Sequence, residues 1–132
     1  MKDRWTHSNK ATFNINFHLI WCTKYRRNVI LSPIDSRLKE IIKNIVTSLD
    51  CNIKSLEIMP DHVHILISTS PVHSPHYIVQ QLKGKSSNIL RKEFPNLKSR
   101  LPTLWTRSYY CESVGSSSEE NIQNYIKNQK NK

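Results

Sequence analysis

The chain has few ways of stapling itself together. Its 132 residues include three cysteines, Cys22, Cys51 and Cys111, an odd number at wide spacing with no CxxC. That excludes a disulfide framework and a thiolate zinc site, and it fits a reducing cytoplasm. Long apolar runs are also missing. No stretch approaches the length of a membrane span, and the first ten residues carry no apolar signal core, so a cytoplasmic protein with no membrane contact is expected. No repeat, linker or low-complexity tract divides the chain. One domain over 1–132 is therefore expected, with residues 1–11 polar and frayed. Acidic residues are scarce: 10 Asp and Glu stand against 20 Lys and Arg, for a formal net charge of +10. Such a balance suits a polyanionic partner, most simply nucleic acid.

What is present reads as alternating strands and helices. Phe13 to Cys22 places Phe13, Ile15, Phe17, Leu19 and Trp21 on one face, the pattern of a strand with one buried side. Lys24-Tyr25-Arg26-Arg27 follows as a basic loop. Ser32 and Pro33 are read as the cap and first turn of a helix whose Ile34, Leu38, Ile41, Ile42, Ile45, Val46 and Leu49 form one apolar stripe. Ile53–Ile58 and His62–Thr69 form a hairpin about Met59-Pro60-Asp61. Ser74-Pro75 opens a helical region to about Phe94, with a break expected near Gly84 and Ser86-Ser87. Thr103 to Val114 reads as a fourth strand, and a capping box at Ser117-Ser118-Glu119-Glu120 starts a last short helix. The order gives an α+β, ferredoxin-like (split βαβ) antiparallel sheet with both helices on one face and the last helix as an appendage.

Two constellations carry chemistry. His62 and His64 are i and i+2 on a strand, so both imidazoles face away from Val63, Ile65 and Ile67. They make either a metal chelate or two partly exposed histidines. Tyr125 and Gln129 are i and i+4 on the last helix and share a face. They are either a docking tyrosine with a solvated glutamine or a functional pair. Only Ile122 and Ile126 accompany the tyrosine, and so short a helix must dock on something. Together the two pairs suit phosphoryl transfer. A divalent ion offsets charge on the phosphodiester, a tyrosine oxygen displaces a 3′-hydroxyl, and the phosphotyrosine keeps the bond energy for rejoining. Gln129 can add a carbonyl oxygen as third ligand, and Mn²⁺ accepts imidazole more readily than Mg²⁺.

The run from Phe17 to Arg27 resembles the opening of the single-tyrosine HUH transposases of insertion sequences, the TnpA type. Met59-Pro60-Asp61-His62-Val63-His64-Ile65-Leu66 resembles their central motif. Leu82–Ser87 and Leu90–Pro95 are similar to the family's middle segment, and Trp105–Gly115 and Tyr125-Ile126-Lys127-Asn128-Gln129 to its end. The likeness spans about residues 12–130 in order. It implies a transposase acting on single-stranded DNA with hairpin ends, using Mg²⁺ or Mn²⁺ and no small-molecule cofactor. It implies His62, His64 and Gln129 as metal ligands and Tyr125 as nucleophile. It also implies a homodimer in which a mobile tyrosine helix, residues 117–132, serves the other subunit.

Other residues have lesser claims. His73 and His76 can be imagined joining His62 and His64 around zinc, although Ser74-Pro75 makes them look like a helix entry. His18 also faces the open side of its strand, as either a group behind the histidine pair or a plain sheet residue. Asp61 reads as a turn residue or a ligand. Lys24, Arg26, Arg27, Lys83, Lys85, Arg91 and Lys92 are candidate phosphate contacts. Two rival readings stand beside the transposase. A non-catalytic single-strand nucleic-acid binding module would share the fold but should expose aromatics on its sheet. A relaxase or replication initiator would share the chemistry.

Overall fold

The computed structural model describes residues 6–7, 12–114, 119–130 and 132. Strand β1 spans Ile15–Cys22, and helix α1 spans Ile34–Ser48. Strands β2 (Asn52–Met59) and β3 (His62–Thr69) form the hairpin. Helix α2 covers Pro75–Glu93 and α3 covers Pro95–Arg100. Strand β4 is Tyr110–Ser113 and helix α4 is Glu119–Asn128. The four strands are antiparallel in the order β2-β3-β1-β4, the arrangement of a split βαβ fold.

Alternation sorts the sheet into two faces. Leu19, Trp21, Val63, Ile65 and Ile67 join the buried stripe of α1 (Leu38, Ile41, Ile42, Ile45, Val46) and Ile78, Val79, Leu82 and Leu90 of α2 in one main core. Arg37 and Glu93 bridge α1 and α2 at 2.8 Å on the outside. The opposite face is not open, as expected from the sequence, but partly covered. Ile20 is fully buried there beneath Ile122 and Ile126 of α4, with Tyr110 and Tyr125 packed alongside. The last helix is therefore docked on the sheet of its own chain by a three-isoleucine contact.

Several boundaries differ from the sequence reading. Phe13 does not begin β1; Thr12–Phe13 pairs instead with Thr6–His7, and the rest of residues 1–11 lie outside the described residues. Ser32 does not cap α1, whose N-cap position is Pro33 with no side-chain bond. Ser74 does cap α2, its hydroxyl accepting from Tyr77 N at 3.1 Å, with Pro75 in the first turn. The expected break in α2 is absent. Gly84 sits inside a continuous helix because burial of Ile78, Val79, Leu82, Ser86 and Leu90 on one side outweighs its weak propensity. Helix α3 went unrecognised, although Pro95 after Phe94 is a first-turn signal. The capping box at Ser117–Glu120 falls partly outside the described residues.

The largest difference is the fourth strand, which pairs only over Tyr110–Ser113. The preceding segment, 101–109, makes a single bridge from Trp105 to Thr23. It runs back along α2, held by that helix's side chains. Arg91 Nη2 donates to Pro102 O at 3.2 Å and approaches Leu101 O at 3.5 Å. Trp105 Nε1 donates to Ser86 Oγ, and Lys83 Nζ donates to Thr106 O and Ser108 O. His76 Nδ1 and Tyr109 Oη lie 2.9 Å apart. Backbone bonds at the bridge, Lys24 N to Leu104 O and Thr106 N to Cys22 O, tie it to the end of β1, and side-chain donors take the place of a ladder elsewhere.

Candidate active site

The second face of the sheet gathers the candidate residues. On β3, Val63, Ile65 and Ile67 are buried toward the helices, so His62 and His64 project to the α4 side. Across the ladder, His62 pairs with Cys22 and His64 with Ile20, the residue that α4 covers. The histidine pair and the tyrosine helix thus occupy one face.

Each imidazole has a neighbour that fixes it. His62 Nδ1 lies 2.7 Å from Asp61 Oδ1, and Arg26 Nε donates to Asp61 Oδ2 at 2.9 Å. Asp61 is thus neither a bare turn residue nor a free ligand: it orients His62, leaving the outer ring nitrogen to face a ligand. His64 Nε2 is 3.0 Å from His18 Nδ1, so these two rings share one proton between them. His18 belongs to the site as the partner of His64. His73 and His76 do not: His73 stacks on Tyr77, and His76 bonds Tyr109.

Tyr125 of α4 and Gln129, one residue past its end, do share a side, and one hydroxyl meets both. Ser108 Oγ lies 3.1 Å from Tyr125 Oη and donates to Gln129 Oε1 at 3.0 Å. Gln129 is buried rather than solvated. The Tyr125 ring packs on Tyr110 with centroids 5.6 Å apart. Burial pushes the Tyr125 hydroxyl up to about 12, opposed by the hydroxyls of Ser108 and Thr106. At neutral pH it is a phenol and must lose its proton as it reacts. Burial likewise raises Cys22 to about 12, so that thiol stays protonated, and lowers Lys83 to about 8. Sequence reasoning missed Ser108, which lies within the segment read as a fourth strand.

The donor set suits a divalent ion. Two imidazoles sit a strand step apart, one braced by a carboxylate. Among the described residues no three His, Cys, Asp or Glu side chains converge, so a third protein ligand has to be of another type. The amide oxygen of the buried Gln129, just past the end of the helix over this face, is such a group.

The basic candidates divide. Arg26 is held by Asp61 and Ile126 O, Lys83 by two carbonyls, and Arg91 by the segment after α3, so these three are engaged inside the fold. Lys92 and Arg91 border an open groove of about 410 Å³ with Gly84, Ser87, Asn88 and Lys98. Lys24 lies over the Tyr25 ring at 5.0 Å, and Arg27 lines a second hollow with Tyr25 and Arg100.

A sheet of this order, with a histidine pair and a tyrosine helix on one face, is the arrangement expected of a single-tyrosine transposase. The family model described as "Transposase IS200 like" matches residues 11–129, and the chain belongs to that family. It is 35% identical over 122 residues to the ISDra2 transposase TnpA of Deinococcus radiodurans, covering 91% of this chain and 87% of the relative. It is 31% identical over 119 residues to the transposase for insertion sequence element IS200 of Salmonella typhimurium, covering 89% and 78%. A crystal structure of a candidate transposase from Deinococcus radiodurans superimposes with a TM-score of 0.87 at 35% identity, over 94% of this chain and 97% of that one. A REP-associated tyrosine transposase bound to a REP hairpin shares the fold, with a TM-score of 0.57 at 11% identity over 85% and 62%. The chain is therefore a DNA strand-transferring enzyme by family. No described helix is long and apolar enough to cross a membrane.

Proposed function

We propose that this transposase cuts and rejoins single-stranded DNA through a 5′-phosphotyrosine on Tyr125, with Mg²⁺ or Mn²⁺ held by His62, His64 and Gln129. The observation that carries this reading is the shared hydroxyl. Tyr125 and Gln129 meet at Ser108 on the helix that lies over the histidine face, so nucleophile and third ligand form one unit.

The chain's own residues account for most steps. Tyr125 Oη attacks phosphorus, the bond from phosphorus to the 3′-oxygen breaks, and that oxygen leaves as a 3′-hydroxyl after taking a proton. The phenolic proton departs as the new bond forms, with the Ser108 and Thr106 hydroxyls as its first neighbours. Asp61 keeps His62 oriented, and His18 keeps His64 oriented. When bound, the divalent ion supplies positive charge at the phosphate oxygens. Rejoining reverses the attack with another DNA 3′-end. Lys24, Arg27, Lys85 and Lys92 are the candidate phosphate contacts not engaged by the internal bonds described above, and the groove beside Lys92 offers a place for a hairpin end. The acting form is a homodimer in which α4 crosses to the partner's sheet, replacing the contact it makes on its own chain. Three thiols without a pairing pattern suit the cytoplasm.

The test is covalent capture. Labelled single-stranded DNA carrying the element's hairpin ends should form an adduct with the wild-type protein. It should form none with Tyr125→Phe, whose DNA binding stays near wild type. His62→Ala and His64→Ala should lose both cleavage and Mn²⁺ affinity by calorimetry. An adduct on the Phe variant would remove Tyr125 from the role, and a protein that binds DNA but never becomes attached would be a binding module.

A further inference from the structure

We propose that Ser108 is a positioning residue of the strand-transfer reaction, and that Lys83 holds it in place. The inference rests on the roles given above to Tyr125 and Gln129. A serine hydroxyl has one proton to give. Gln129 Oε1 can only accept, so the proton of Ser108 goes there, across 3.0 Å. Toward Tyr125, 3.1 Å away, Ser108 Oγ is then the acceptor of the phenolic O–H. One atom thus meets both the tyrosine hydroxyl and the oxygen of the glutamine amide. Ser108 touches the reacting ends of α4, whereas Ile122 and Ile126 dock the helix.

Ser108 lies in the short span between the last backbone bond of the Trp105 bridge, Thr106 N to Cys22 O, and the start of β4 at Tyr110, so no ladder bond fixes it directly. Lys83 braces that span. The ammonium donates to Ser108 O at 3.0 Å and to Thr106 O at 2.6 Å, bracketing residues 106–108. Tyr109, the next residue, is tied to His76 on the same helix. Helix α2 is itself set by Ile78, Val79 and Leu82 in the main core. The line of restraint therefore runs from the core through α2 and Lys83 to Ser108, and from there to Tyr125 and Gln129. A lysine that looks in sequence like a phosphate contact is a brace for the nucleophile.

Misplacing a reacting group by about 1 Å can cost on the order of 100-fold in rate. Ser108→Ala should lower the single-turnover cleavage rate by roughly tenfold or more, with DNA affinity and melting temperature near wild type, since Ser108 is exposed at the surface. Ser108→Thr, which keeps the hydroxyl, should restore the rate. Lys83→Met should reproduce part of the loss. In the metal-free protein, the side-chain amide resonances of Gln129 should shift in Ser108→Ala and return in Ser108→Thr. A wild-type rate and unmoved Gln129 resonances in Ser108→Ala would overturn the proposal. So would a folded Ser108→Thr that stays as slow as Ser108→Ala. An unchanged rate in Lys83→Met would overturn the brace. Tyr125→Phe is run in parallel: if it still forms the adduct, the nucleophile assignment itself has failed. If it is dead while Ser108→Ala is fully active, only the positioning role falls.

Discussion

Asp61 is the residue whose chemistry the fold defines most closely. One carboxylate oxygen faces His62 and the other accepts from Arg26. Its negative charge makes the imidazole a better electron donor and fixes the ring, the usual effect of a carboxylate behind a metal-ligating histidine. Asp61→Asn keeps the shape and removes the charge. It should weaken Mn²⁺ binding by about tenfold or more while leaving the fold intact. Calorimetry reads the change directly, and an unaltered affinity would mean that His62 does not bind the ion. The histidine pair, Tyr125 and Gln129 were legible as residues because strand and helix periodicities put each pair on a common face. Ser108 and the partnership of His18 with His64 were not. Both depend on which distant element lies beside them, and local pattern carries no such information.

Helix α2 shows how an element overrides its weakest residue. Gly84 interrupts a good helical pattern, yet the helix continues through it, since the apolar side is buried against the core. A methyl group placed there would meet nothing within 4 Å. Gly84→Ala should therefore stabilise the protein by about 0.5–1 kcal/mol, the usual cost of glycine in a helix interior. Urea unfolding measures it, and a loss of stability would mean that the groove beside Gly84 is tighter than it looks. The helices and the first three strands were legible from apolar spacing, apart from the short α3. The fourth strand was read too long because residues 103–109 have the composition of a strand. Beyond two backbone bonds to residues 22–24, their bonding comes from Arg91, Ser86, Lys83 and His76 on α2, fifteen or more residues away for most of them. That arrangement also draws two basic residues out of the set expected to meet phosphate.

At the scale of the whole molecule, the docking of α4 is the open choice. On a single chain it covers Ile20 with two isoleucines and adds the Tyr110 ring, Ser108 and Arg26, and an identical second copy can supply every one of these contacts. Mixing Tyr125→Phe subunits with His64→Ala subunits should therefore restore cleavage, because a crossed helix rebuilds one complete site. A mixture that stays inactive, with heterodimers confirmed by mass, would place the helix on its own sheet during catalysis. The tethering of residues 101–109 has a different consequence, for tolerance to change. Lys83 and Arg91 grip main-chain oxygens, which every amino acid possesses. Leu101, Leu104 and Trp105 are buried in the core, and Thr106, Ser108 and Tyr109 bond through their side chains, so the freedom to vary falls on the exposed Pro102 and Arg107. The gripping residues on α2 have no such freedom. Diversity in a library of this protein should accumulate at Pro102 and Arg107 on the held strip and be purged from Lys83 and Arg91, which hold it.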